Sequence, residues 1–178
     1  MRRWNYERDQ EVPEEKRRRR AGGRTLAIRP QFPLDEIYIT LFSEQRVYAP
    51  DGTIHYEPIP QRAADTGVEL LDDLRRMLSE GKSNLKTFGE GYGLTPSDVN
   101  GLVLALTGME AITFRIAWQM RRADELLRYT DLSIEEVARQ SGVGSTTNLF
   151  YACHRDFHCS PSQRRRHLRQ ANDLGRYR

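Results

Sequence analysis

Residues 131–166, DLSIEEVARQSGVGSTTNLFYACHRDFHCSPSQRRR, constrain the fold more than any other stretch of the chain. A helix is expected from Ser133, because Ser133 and Glu136 have the Ser-x-x-Glu spacing of a capping box. Ile134, Val137 and Ala138 form its apolar face, and Ala138 is small enough for another helix to cross closely. Gly142 ends the run and permits the left-handed backbone of a tight turn. Val143 fills the corner, and Ser145 caps a second helix running to about Phe157. Leu149, Cys153 and Phe157 recur at four-residue steps and point inward. Ser145, Thr146, Thr147, Asn148 and Tyr151 are left on the outer, N-terminal part of that helix. Ser160-Pro161 opens a last helix bearing Arg164, Arg165, Arg166 and Arg169.

Helical spacing extends upstream as far as Val68. Leu70, Leu71, Leu74, Met77 and Leu78 make one stripe, which Gly81 ends. A short helix follows over residues 84–91. Thr95 caps another that starts with Pro96 and runs to Leu106, with Val99, Leu102, Val103 and Leu106 expected inward. The longest helix spans residues 111–129 and buries Phe114, Ala117, Trp118, Met120, Ala123, Leu126 and Leu127. About seven helices are expected in all, without a solenoid repeat.

The first third of the chain differs in character. Residues 1–24 are dense in charge, include Arg17-Arg18-Arg19-Arg20, and read as a disordered arm. Residues 25–67 read as a small β-hairpin-rich segment. Its expected strands lie at Thr25–Ile28, at Glu36–Phe42, and on either side of Asp51-Gly52, where Arg46-Val47-Tyr48 faces Thr53-Ile54-His55-Tyr56. So few strands are marginal alone and call for a docking surface. The chain therefore divides into an arm (1–24), a β-rich segment (25–67), a helical domain (68–170) and a tail (171–178).

Charge narrows the function classes. Net charge is +3, and residues 131–178 hold eight Lys/Arg against five Asp/Glu while the other parts are nearly balanced. A basic C-terminal end suits a polyanion. No stretch approaches the ~18 continuous apolar residues of a membrane span, and the first residues lack the apolar run of a secretory signal. With two cysteines at 153 and 159, a disulfide framework is not expected and a reducing cytoplasm is the simpler location.

Residues 131–166 closely resemble the second helix-turn-helix of AraC/XylS-type transcription regulators. LTPSDVNGLVLALTGMEAITFRIAWQMRRADELL, residues 94–127, resembles the family's first recognition helix, its glycine corner and its linker helix. The resemblance covers about 100 of the 178 residues. It implies a mainly α fold with two helix-turn-helix units joined by one linker helix, and a sequence-specific, double-stranded DNA-binding regulator of transcription. Two recognition helices would then lie about one DNA turn apart, on the order of 34 Å. Base reading is expected from Ser145, Thr146, Thr147, Asn148 and Tyr151 in the second unit and Ser97 and Asn100 in the first. Phosphate contacts are expected from Arg164, Arg165, Arg166, Arg169, Lys82 and Lys86.

Several positions depart from the family pattern. Gly89, Gly91 and Gly93 should soften the first unit, at ~1 kcal/mol for each glycine inside a helix. Its recognition helix has no Arg or Lys, and Asp98 would repel phosphates if it faced them. In the second unit Cys153 takes the place of a large apolar residue, and His158 that of a glycine. Many members carry an effector-binding jelly roll ahead of the helices, and residues 1–67 are too few to enclose such a pocket. The other reading is a protein–protein adaptor, with RNA polymerase or another protein meeting the N-terminal strands.

Other chemistry is not expected. Cys153-His154 and His158-Cys159 suggest zinc, but Cys153 points to the core side and Cys159 follows the helix end, so no metal site is assigned. Gly89-Glu90-Gly91-Tyr92-Gly93 lacks the Lys-Ser/Thr of a phosphate-binding loop. Asp72-Asp73 and Glu135-Glu136 read as solvated faces and Trp118 as core. Neither an enzyme activity nor a cofactor is expected.

Overall fold

A computed structural model describes residues 30–59, 65–171 and 173–178. The expected arm over residues 1–24 and the strand expected at Thr25–Ile28 lie outside the described residues. Among the described residues the elements run α1 (Leu34–Ile37), β1 (Glu44–Tyr48), β2 (Ile54–Pro58), α2 (Glu69–Ser79), α3 (Leu85–Gly91) and α4 (Pro96–Thr107). They continue with α5 (Ala111–Tyr129), α6 (Ile134–Gln140), α7 (Thr146–Phe157) and α8 (Pro161–Leu168), closed by a 3-10 turn at Arg169–Ala171. The seven helices expected from spacing are α2 to α8, and the fold is mainly helical.

The caps fall at the anticipated helix starts, on the residues named as caps at Thr95, Ser133 and Ser145. Asn84, Thr95, Ser133, Ser145 and Ser160 each accept a backbone N–H with the side chain, satisfying donors that a helix start leaves unpaired. At Ser133 only half of the expected box forms. Glu136 turns away from Ser133 and pairs with Arg139, whose Nε donates to it at 2.9 Å. Complete boxes occur instead at Thr95/Asp98 and Ser160/Gln163.

Helix α5 is shared by two cores. Ala111, Phe114 and Trp118 pack with Leu71, Leu74, Val99 and Val103. Met120, Ala123, Leu126 and Leu127 pack with Val137, Ala138, Leu149 and Cys153. Nineteen residues at ~1.5 Å each make this helix about 28 Å long, enough to span both units. Arg122, only 6% exposed, donates through Nη1 to Leu78 O at 3.1 Å and Ser79 O at 2.5 Å. It thereby closes the C-terminal end of α2, where carbonyls lack partners.

Two expectations change. Leu102 is 42% exposed, because the buried stripe of α4 runs Val99, Val103, Thr107 and Leu102 lies one residue round from it. Gly89 is not merely a soft spot. A Cβ there would sit 2.8 Å from Val99 Cγ2, so the close approach of α3 and α4 requires glycine.

The N-terminal segment is less β-rich than its alternation suggests. The hairpin around Asp51-Gly52 forms, antiparallel, with Tyr48 opposite Ile54 and Glu44 opposite Pro58. The strand expected over Glu36–Phe42 does not. Residues 34–37 are α1, and the adjacent Ile37 and Tyr38 are both buried, which an alternating strand with one wet face cannot achieve. Their polar groups bond to helices instead of to a neighbouring strand. Arg75 Nε donates to Ile37 O at 2.8 Å, and Tyr38 Oη to Glu125 Oε2 at 2.9 Å.

Residues 173–178 lie along β1. Glu44 N donates to Arg178 O at 3.0 Å, and Arg46 N to Arg176 O at 2.8 Å. Tyr177 packs between Phe42 and Tyr129, with ring centroids 5.5 and 4.7 Å away. Arg128 holds Asp173 through two bonds of 3.1 and 2.6 Å. The hairpin and tail thus dock together on the C-terminal end of α5.

Candidate nucleic-acid interface

The second unit is α6, the turn at Gly142 and α7. Gly142 has φ +80°, and its carbonyl accepts from Gln119 Nε2 at 2.7 Å, which ties the turn to α5. Gly144 N donates back to Ala138 O at 2.9 Å. With Leu149 and Cys153 fully buried, helical periodicity leaves the opposite side of α7 in solvent. Thr146, Thr147, Asn148 and Tyr151 are all exposed there, next to the exposed cap Ser145. Ser145 Oγ is occupied by Asn148 N at 3.1 Å. Among the described residues the Asn148 carboxamide makes only a long 3.4 Å bond, from Nδ2 to Val143 O.

The same face carries residues that the sequence reading passed over. Phe150 and His154 are exposed with ring centroids 4.3 Å apart. Together with Asn148, Tyr151, Ala152 and Arg155 they line a groove of about 800 Å³ along α7. Four-residue spacing from Thr146 through Phe150 to His154 was the signal available for them.

In the first unit the outer face of α4 presents Ser97, Asp98, Gly101, Leu102 and Ala105 to solvent, with no cation among them. Asp98 belongs to its own helix start, where Thr95 Oγ1 donates to it at 2.6 Å, and this bond holds its pKa below the usual carboxylate range. Asn100 is half-buried, and its Oδ1 accepts Ala111 N at 2.9 Å, which makes it a brace for the start of α5. Asn100 and Lys86 line one groove of about 730 Å³ with Glu110, Ile112 and Arg115.

The basic residues divide sharply. Arg164 forms two bonds to Asp124, of 3.0 and 2.5 Å, and lies over the Phe157 ring. Arg165 donates to Leu132 O at 2.5 Å, and Arg169 to Leu127 O at 3.1 Å and to Thr130 O, besides pairing with Asp131. These three guanidinia fasten α8 and the 3-10 turn after it to α5 and to the segment before α6. Arg166 is exposed and has no hydrogen-bond or ion-pair partner among the described residues. Lys82 and Lys86 are exposed, paired with Glu80 at 2.7 Å and Glu90 at 3.8 Å. Of the six basic residues assigned to phosphates by sequence, three therefore serve the fold.

Cys153 and Cys159 are buried free thiols, and burial raises the Cys153 pKa to about 11, which keeps it a thiol. No group of three or more metal-ligating side chains occurs among the described residues. No single helix among them is long and apolar enough to cross a membrane.

Comparison with known proteins meets this geometry. A family described as helix-turn-helix domain matches residues 88–167, from α3 to α8. The match covers 80 of the 178 residues, and that region is similar to this helix-turn-helix family. The DNA-binding domain of AdpA, a global transcriptional factor solved in complex with a target DNA, is similar in fold. Its TM-score is 0.54 at 22% identity, over 60% of this chain and 97% of that one. The C-terminal domain of AraT, a response regulator from Geobacillus stearothermophilus, has a TM-score of 0.51 at 21% identity, over 58% of this chain and 88% of that one. None of the curated proteins matches the sequence.

Proposed function

We propose that this protein is an AraC-type regulator that binds double-stranded DNA sequence-specifically and regulates transcription, with α7 as the main reading helix. The observation that carries this is the face of α7, where Thr146, Thr147, Asn148 and Tyr151 are exposed on a helix fixed from behind by the Gly142 turn. A recognition helix meets base edges with its N-terminal residues. The AdpA domain, alike in fold, is seen on its target DNA. Arg166, Lys82 and Lys86 supply phosphate contacts, which set register without reading sequence. Helix α4 contributes less, because Ser97 alone of its two assigned readers is free on the surface while Asn100 braces α5.

A salt titration of the full chain on a selected operator and on random duplex tests this. Affinity should fall steeply with salt, and Arg166→Ala should weaken both duplexes alike and reduce the salt slope by about one. Asn148→Ala should cost about tenfold or more on the operator and little on random duplex. Ser97→Ala should cost less than Asn148→Ala. If the Ser97 change is the more damaging, both units read bases and the asymmetry is wrong.

A second reading is favoured by one feature, the apolar outer face of the N-terminal hairpin, where Tyr48 is 63% and Ile54 55% exposed. Under it the hairpin meets RNA polymerase or another protein, and the helical domain acts as an adaptor. Weak, salt-insensitive duplex binding by the parent protein would select that reading.

A further inference from the structure

The exposed groups on the reading half of α7 have a chemical bias. Guanine shows two acceptors in the major groove and is met by Arg or Lys, and cytosine shows an amino donor met by Asp or Glu. Neither residue type occurs from Thr146 to Tyr151. The nearest candidates, Arg155 and Asp156, lie in the last turn and neutralise each other through two bonds of 2.6 and 2.7 Å. Adenine, by contrast, shows an acceptor beside an amino donor, the pattern a carboxamide matches with both its ends. Thymine shows a methyl group, which is met by apolar surface.

We infer that α7 reads A·T pairs, with the Asn148 carboxamide on an adenine edge and the Thr146 and Thr147 methyls and the Tyr151 and Phe150 rings against thymine methyls. This rests on the reading of α7 as a major-groove helix. Asn148 suits the role because its only side-chain bond among the described residues is a long one, so the carboxamide can turn to a base. Phe150 is 44% and Tyr151 61% exposed, with their rings edge to face at 6.2 Å. Two large rings on the wet side of a short helix gain from apolar partners, and thymine methyls are the apolar groups that the floor of a major groove provides. Thr146 and Thr147 add methyl groups at the tip of the same face, and their hydroxyls accept either pair.

Selection of binding sites from a random duplex pool by the full chain should return a run of A·T pairs at one half-site. Uracil in place of thymine keeps the pairing and removes the methyl, and each such change under α7 should weaken binding by about fourfold. Tyr151→Ala and Phe150→Ala should lose that sensitivity to uracil while the far-UV circular dichroism stays that of the parent. Asn148→Ala should lose the preference for adenine at one position. A G·C-rich selected core, or equal affinity for thymine and uracil duplexes, overturns A·T reading and leaves duplex binding standing. Failure of the parent to bind any duplex in a salt-dependent way overturns the functional reading itself, and A·T reading with it.

Discussion

Gly142 and His158 both hold a left-handed backbone, with φ of +80° and +54°, and only one of them is a glycine. An L side chain there pushes Cβ against the neighbouring carbonyl, at roughly 1–2 kcal/mol. At Gly142 an added Cβ would also sit 3.3 Å from Gln119 Nε2, the atom that holds this turn to α5. Gly142→Val should therefore destabilise the protein by about 2 kcal/mol or more. His158 is the sole non-glycine with positive φ among the described residues, at the C-cap of α7. His158→Gly should raise stability by about 0.5–1 kcal/mol, the strain relieved being partly offset by a freer unfolded chain. Urea unfolding of both variants measures the pair. An unchanged midpoint for Gly142→Val would mean that the turn tolerates a side chain, and a lower midpoint for His158→Gly would mean that the imidazole has a contact worth more than the strain. The His158 position was visible in the sequence as a departure from a glycine, although its backbone angle was not.

Helix α8 looks in the sequence like a basic stripe and acts in the structure mostly as a brace. Arg164 and Asp124 are each 23% exposed and share two bonds, and such charge-assisted bonds hold better than a surface pair. Arg164→Ala should lower stability by about 1–3 kcal/mol, by losing bonds to a charged group and the contact with Phe157. Arg166→Ala should leave stability within about 0.5 kcal/mol and act on DNA affinity instead. Thermal unfolding beside anisotropy separates the two effects. If Arg164→Ala keeps its melting temperature and loses DNA, α8 is an interface helix after all. Sequence could not distinguish these arginines, because their partners Asp124, Leu132 and Leu127 lie between 33 and 42 residues away in the chain.

Across the whole molecule, the N-terminal segment is locked to the linker helix through Glu125. Its carboxylate accepts from Tyr38 Oη and Thr40 Oγ1, both at 2.9 Å, with Arg121 nearby. Burial raises the Glu125 pKa despite those bonds and that cation. A carboxyl whose pKa is higher in the folded chain than in the unfolded one favours folding while protonated. That contribution is lost as pH rises from the ordinary glutamate range through the raised value. Glu125→Gln keeps an acceptor for both hydroxyls and cannot ionise. The variant should match the parent at about pH 4 and melt higher than it at about pH 7.5. Parallel melting curves across that range would show that Glu125 is no more costly ionised than neutral. The contact also gives the N-terminal segment a direct grip on the helix that carries both units.

What the sequence determined alone is whatever depends on neighbours within a few residues. Helix spacing, caps at Thr95, Ser133 and Ser145, the helix start at Ser160, the Asp51-Gly52 hairpin and the Gly142 turn all follow from local periodicity and backbone geometry. The outward face of α7 follows as well, since burying Leu149 and Cys153 settles where Asn148 and Tyr151 point. Only the tertiary structure decided the rest. Alternation over Glu36–Phe42 promised a strand, yet the segment lies against α2 and α5, whose side chains satisfy its polar groups and whose core takes Ile37 and Tyr38 together. Which arginines stay free, why Asn100 turns toward Ala111, and how the tail joins β1 depend on partners far along the chain. A hydrogen bond between distant residues leaves no periodic trace in sequence, because it is selected by the packing that brings its two ends within about 3 Å.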